Sequence, residues 1–129
     1  MTNWKELLGV TLQQEDDIRF VGYSYIKQGK YDIALTFFET LAKIAPDNAY
    51  DVRTLGALYL QKGDNHKALQ ELERALTIDP THEPTKLNRV KALFALGYAK
   101  QGLEQAELLI KSPNQTVAKH AAALVQTHK

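Results

Sequence analysis

One spacing governs this chain. Gly22, Tyr25, Gly29 and Ala34 return as Gly56, Tyr59, Gly63 and Ala68, and Leu35, Ile44 and Pro46 return as Leu69, Ile78 and Pro80, each 34 positions further on. Asp17 with Asp51, Arg19 with Arg53 and Glu39 with Glu73 keep the same interval. Self-similarity at this period marks a solenoid, in which each small supersecondary unit buries its apolar face only by stacking on its neighbours.

The residue types explain what that unit is. Ile18, Val21, Gly22 and Tyr25 fall at i, i+3, i+4 and i+7, which predicts a helix over about residues 16 to 28 with one apolar stripe. Gly22 lets a partner helix come close. Gly29 ends the helix, because glycine accepts the left-handed conformation that closes a C-terminus. Tyr31, Ala34, Phe38 and Leu41 begin a second stripe, with Ala34 where the two helices cross. Pro46 stops the second helix, since proline lacks the backbone donor that a continuing helix needs. The second unit repeats this through Val52, Leu55, Gly56 and Tyr59 to Gly63, then through Ala68, Leu72, Ala75 and Ile78 to Pro80.

A third unit is expected from residue 83, in degenerate form. Lys86 and Arg89 fall where the stripe calls for large apolar side chains, and Leu87, Val90, Leu93 and Phe94 supply an apolar face instead. Gly97 holds the turn, Gly102 replaces the crossing alanine, and Ala106, Leu109 and Ile110 lead to Ser112-Pro113. Val117, Ala121, Leu124 and Val125 form a last stripe, read as a capping helix over about 114 to 128, and Trp4, Leu7 and Leu8 are read as a cap at the other end. The expectation is an all-α single domain over residues 1–129. Its repeats cover about 15–48, 49–82 and, divergently, 83–111.

At Gly-Lys-Tyr-Asp-Ile-Ala-Leu (29 to 35), Gly-Asp-Asn-His-Lys-Ala-Leu (63 to 69) and the two helix-ending prolines, the sequence resembles the tetratricopeptide-repeat (TPR) family over about residues 15 to 111. A narrower resemblance begins at Asp79-Pro-Thr-His-Glu-Pro-Thr (79 to 85) and continues into Leu93-Phe-Ala-Leu-Gly and the segment from Gln101 to Ile110. There the chain is similar to the class II chaperones of bacterial type III secretion, small cytoplasmic three-repeat proteins that hold translocator subunits before export. The short length is also similar to that of the repeat-containing chaperones of needle subunits. These resemblances imply a protein-binding module, not an enzyme.

Composition narrows the partners. Basic and acidic residues number 16 and 15 and are interleaved, for a net charge of +1. No basic field is available to neutralise a run of phosphates, so nucleic acid is not expected. No apolar stretch approaches the ~18 to 20 residues that span a bilayer, so membrane insertion is not expected either. The chain has no cysteine, which fits a reducing compartment, and its first residues lack both a basic region and a long apolar run. A cytoplasmic location is the expectation.

Stacked hairpins of this kind curve, and the concave face is lined by the first helix of each unit at positions off the packing stripe. In the first unit those positions include Arg19, Phe20, Tyr23 and Ile26; in the second, Tyr50, Arg53, Thr54, Ala57, Leu60 and Gln61. In the third they include Leu87, Asn88, Lys91 and Phe94. Packing does not account for so many large apolar side chains on one face, which points to a binding groove; the competing readings are a helix phase off by one position, or packing of some of these residues under the terminal helices. Arg19 and Arg53 are candidates to fix the backbone or an acidic side chain of a ligand, or else to line a solvated rim. The clamp of lysines and asparagines with which some members of the family hold the C-terminal carboxylate of heat-shock chaperones is not expected, because Tyr23 and Ala57 occupy two asparagine places. The expected ligand is an extended or helical protein segment with apolar anchors. Self-association to a homodimer through the terminal helices or the groove is also open.

No residue pattern points to catalysis, a cofactor or a metal. His66, His82, His120 and His128 do not form a ligand set at i, i+4 with a third group, and no Gly-rich phosphate loop or Gly-x-Ser-x-Gly occurs. The acidic run Glu15-Asp16-Asp17 is read as favouring the dipole at a helix start.

Overall fold

A computed structural model describes residues 3–129. Eight helices follow one another among the described residues: α1 Trp4–Leu8, α2 Leu12–Lys27, α3 Tyr31–Ile44, α4 Ala49–Lys62, α5 Asn65–Ile78, α6 Glu83–Ala95, α7 Ala99–Leu109 and α8 Gln115–His128. Each helix from α2 onward packs on its successor, and α4 also touches α6 and α6 touches α8. Three helical hairpins, α2/α3, α4/α5 and α6/α7, therefore stack in order, with α8 added at the end.

Local chemistry sets the ends of these helices. Gly29, Gly63 and Gly97 hold the three hairpin turns at φ of 74°, 88° and 87°, values that side chains with a Cβ rarely adopt. Side chains of Thr11, Asn48, His82 and Asn114 accept backbone N–H groups in the first turns of α2, α4, α6 and α8, satisfying donors that have no partner inside the helix. At Thr11 the arrangement is a full capping box, with the Gln14 side chain returning to the Thr11 N–H. That box starts α2 at Leu12, about four residues ahead of the start expected from the stripe. Glu15 accordingly stands in the first turn of α2, and Asp16 and Asp17 follow it. Glu15 is buried and meets Lys5 at 2.6 Å, tying α1 to α2, and Asp16 meets Arg19 at 2.6 Å.

The core has two parts. Phe38, Leu41 and Leu72 are fully buried in the first, among α2 to α5, and Val90, Ala106 and Ala121 in the second, among α6 to α8. Close approach is possible because Gly22, Gly56 and Gly102 stand where helices cross. A Cβ placed on Gly56 would come within 2.8 Å of Leu72, and one on Gly102 within 2.7 Å of Phe94. Some stripe residues do not reach the core. Val21, Tyr31 and Ile78 keep more than a third of their surface exposed, and α1 leaves Trp4, Leu7 and Leu8 exposed although it packs on α3. A five-residue helix has too narrow a contact to cover all three.

Candidate partner-binding groove

The first helices of the three hairpins, α2, α4 and α6, share a concave face. On it lies an open groove of about 390 Å³. Tyr23 and Ile26 of α2 form one wall, and Tyr50, Arg53, Thr54, Ala57, Leu58 and Gln61 of α4 form the floor. His82, Pro84, Thr85 and Asn88, at the start of α6, form the other wall, and Tyr31 closes one end.

Helical spacing produces this arrangement. Residues 50, 53, 54, 57 and 61 run along one face of α4 at intervals of three and four, while Val52, Leu55, Gly56 and Tyr59 face the neighbouring helices and are buried. Tyr50 is anchored edge-on to the buried Phe38 ring, with centroids 6.2 Å apart, so its position is fixed from beneath. Burial pushes the Tyr50 phenol above its ordinary value, and it stays neutral at physiological pH. The Arg53 guanidinium lies over the Tyr50 ring at 5.6 Å from its centroid, and Lys27 lies over the Tyr23 ring at the same distance. The groove thus offers aromatic and aliphatic surface beside a guanidinium.

Arg19 is placed differently. Its Nε donates to Asp51 Oδ1 and its Nη2 to Asp51 Oδ2, both at 2.6 Å, and Nη1 donates to Asp16 at 2.6 Å. Asp51 is fully buried, and its hydrogen bond raises the arginine above its ordinary value. This pair ties the first hairpin to the second and leaves Arg19 committed within the protein.

Other candidate residues also fall outside the groove lining. Leu87 is buried inside the second core and does not line the groove. Phe94 packs on that core beneath the His128 ring, and Leu60 packs against the first core. Lys91 is half-buried away from the lining, and Phe20 is 72% exposed at the open edge of the first hairpin. For Leu87 and Phe94 the reason is the displaced stripe of α6. With Lys86 and Arg89 at the usual apolar positions, Leu87, Val90 and Phe94 take over the packing, and α8 covers them. Tyr23, Ile26, Tyr50, Arg53 and Ala57 are brought together.

Several lining residues escaped the sequence reading: Tyr31, Leu58, His82, Pro84 and Thr85. The signal for three of them was present in the His-Glu-Pro-Thr segment. His82 is the N-cap of α6, its Nδ1 accepting from the Thr85 N–H at 3.3 Å and lying 2.8 Å from the Thr85 hydroxyl. Burial and then the nearby Arg53 hold the His82 imidazole below its ordinary value, with Asp79 opposing. It is the neutral ring that caps the helix. Among the described residues no three His, Asp or Glu side chains stand together as a metal site would need, and no helix is long and apolar enough to cross a membrane.

The profile of the tetratricopeptide repeat matches residues 22–95. The CTR9 homolog protein of Arabidopsis thaliana is 29% identical over 99 residues, which is 75% of this chain and 9% of that protein. The chain spans less than a sixth of the length of that relative and of the BBSome complex member BBS4 of Bos taurus. Among solved structures, PcrH in complex with the chaperone binding region of PopD aligns with a TM-score of 0.81 at 20% identity, covering 93% of this chain and 94% of that one. The Yersinia enterocolitica type III secretion translocator chaperone SycD aligns with a TM-score of 0.75 at 16% identity, covering 98% of each chain. The first TPR of Spaghetti (RPAP3), bound to an HSP90 peptide, aligns with a TM-score of 0.80 at 22% identity, covering 92% and 93%. At these identities the likeness is one of fold.

Proposed function

Because this chain belongs to the tetratricopeptide-repeat family, we propose that it works by holding a segment of another polypeptide in the groove of α2, α4 and α6, as a chaperone for an export substrate of a type III secretion system. The observation that carries the binding reading is the groove itself. Tyr23, Ile26, Tyr50, Ala57 and Leu58 line an open channel, and of these Leu58 belongs to the first core while Ile26 and Tyr50 rest on it, which fixes the lining from beneath. Solvated helix faces favour charge, whereas this one presents aromatic rings held in place from below.

Magnitudes set what one segment achieves. Burial of three apolar anchors contributes a gross ~5 to 9 kcal/mol, less the cost of ordering the segment, which corresponds to affinity of about a micromolar. Tighter holding needs further surface, and a chaperone that wraps an aggregation-prone subunit has that surface available.

Support for the secretion reading comes from the Asp79 to Thr85 segment, which contributes His82, Pro84 and Thr85 to one wall of the groove, and from the end-to-end likeness to SycD and PcrH. A cytoplasmic site of action follows from this reading and fits a chain without cysteine. Co-expression with candidate translocator and needle subunits tests it. At least one such subunit is expected to stay soluble only in the presence of this chain, and independence of all of them would contradict the proposal.

A second reading is an adaptor that joins folded proteins without changing their stability. It is favoured by the relatives in sequence, CTR9 homolog and BBS4, the latter a named member of a complex. Purification of the native complex separates the two: an adaptor copurifies with folded partners that remain soluble when it is deleted.

A further inference from the structure

The repeat conserves an arginine and loses its partner. Arg19 of α2 closes on Asp51 of α4 through two parallel contacts of 2.6 Å, and Asp51 is fully buried. One repeat further on, 34 positions along, Arg19 becomes Arg53 and Asp51 becomes residue 85, which is threonine. Arg53 lies on α4 as Arg19 lies on α2, and Thr85 lies on α6 as Asp51 lies on α4.

Thr85 does not substitute for the carboxylate. Its hydroxyl is 2.8 Å from His82 Nδ1, and a threonine brings no negative charge. Among the described residues no ion pair includes Arg53; the Asp79 carboxylate is near enough to feel its charge but makes no contact with it and is held by Thr81. The guanidinium rests instead over the Tyr50 ring, half-buried on the groove floor, with Thr85 and His82 facing it from the opposite wall. The N-terminus of α6 adds its positive end to the same place. A half-buried guanidinium that lines an open groove and has no carboxylate in contact offers its donors to an anion entering that groove.

We propose that the segment held in the groove supplies the missing carboxylate. An internal Asp or Glu side chain pairs with Arg53 in the place that Asp51 takes beside Arg19, and an apolar side chain next to it packs among Tyr23, Tyr50 and Ala57. This inference rests on the groove-binding reading above. A side chain, not a chain terminus, is the source, because the group that takes both Nε and Nη2 of Arg19 at the equivalent place is a side-chain carboxylate, that of Asp51.

A random-peptide library selected on the full chain provides the probes, synthesised with blocked ends and again with a free C-terminal carboxylate. Their affinities are read by fluorescence anisotropy for the native sequence, Arg53→Met and Ala57→Trp, with circular dichroism confirming that both variants remain helical. Selected peptides are expected to carry Asp or Glu beside an apolar residue and to bind with blocked ends. Arg53→Met, or neutralising the acidic residue of the peptide, should each weaken binding by about tenfold, and the two together by no more than either alone. Peptides that bind Arg53→Met as well as the native chain but lose binding to Ala57→Trp would overturn the carboxylate pairing and leave the groove reading standing. Binding that needs the free C-terminal carboxylate would overturn the side-chain assignment. Peptides indifferent to both substitutions, or a selection that returns none, would remove the groove reading and this inference together.

Discussion

The ring of His128 lies flat on the ring of Phe94, with centroids 3.9 Å apart and planes 3° from parallel. The contact joins α8 to α6 and closes the end of the solenoid. It also removes Phe94 from the groove face, and Gly102 packs against the same ring from α7. Phe94→Ala should therefore destabilise the fold by about 2 to 3 kcal/mol, whereas Tyr23→Ala, at a residue 42% exposed, should change it by less than about 1 kcal/mol. Urea denaturation followed by circular dichroism checks the difference. Equal midpoints for the two variants would contradict the placement of Phe94.

Removing either member of the Arg19–Asp51 pair should have unequal effects. Arg19→Ala strands a fully buried carboxylate and should cost about 3 kcal/mol or more. Asp51→Ala leaves an arginine that retains Asp16 and some solvent, and should cost about half as much. Equilibrium unfolding of both variants reads the asymmetry, and a larger loss for Asp51→Ala would reverse the argument.

Gly56→Ala should destabilise by about 1 to 3 kcal/mol through overpacking. The new Cβ would lie 2.8 Å from Leu72 side-chain atoms and 3.2 Å from the Leu72 backbone nitrogen, which cannot turn aside. Gly63→Ala meets no neighbour within 4 Å, yet forces a Cβ to φ 88° and should cost about 1 kcal/mol. Thermal melts of the two variants check this order.

Acid should weaken the wall formed by α6. The folded chain holds the His82 imidazole below its ordinary 6.5, chiefly by burial and then by Arg53, so the unfolded chain takes up the proton first. The stability is complete above pH 6.5 and declines as the pH falls through the depressed folded value. Protonation also removes the Nδ1 acceptor that caps the helix. Asp79 faces the same region, and its carboxyl is held below the ordinary 3.8 by the Thr81 hydroxyl and amide, so its contribution falls away only at lower pH. His82→Asn keeps a capping oxygen without a titrating ring and should flatten the dependence between neutral pH and about pH 5. Unfolding midpoints measured across that range provide the test, and an unchanged slope in the variant would contradict it.

The hairpins were legible because glycine and proline mark backbone geometry directly. Gly29, Gly63 and Gly97 hold the three turns, and α3 and α5 end at Ile44 and Ile78, each two residues before a proline. The start of α2 was misjudged because Thr11 and Gln14 form a capping box ahead of the apolar stripe. On the groove, Tyr23, Ile26, Tyr50, Arg53 and Ala57 could be read off the 34-residue period, whereas Arg19, Phe20 and Leu60 on the same two helices fall outside the lining and Leu58 gave no signal. The positions on α6 could not be read, because Leu87 and Phe94 take up packing that Lys86 and Arg89 do not provide, and whether α8 covers them is a tertiary fact. Arg19 and Arg53 read alike in the sequence. Only the structure shows that one is paired with Asp51 and that the other faces Thr85 across the groove.

A partner segment is expected to bind on the shared face of α2, α4 and α6. Amide chemical shifts of the isotope-labelled chain, recorded as a selected library peptide is added, test this most directly. Perturbations are expected to gather at Tyr23, Tyr50, Arg53, Ala57 and Thr85. Perturbations confined to α3, α5 and α7, with those residues unmoved at saturation, would contradict it.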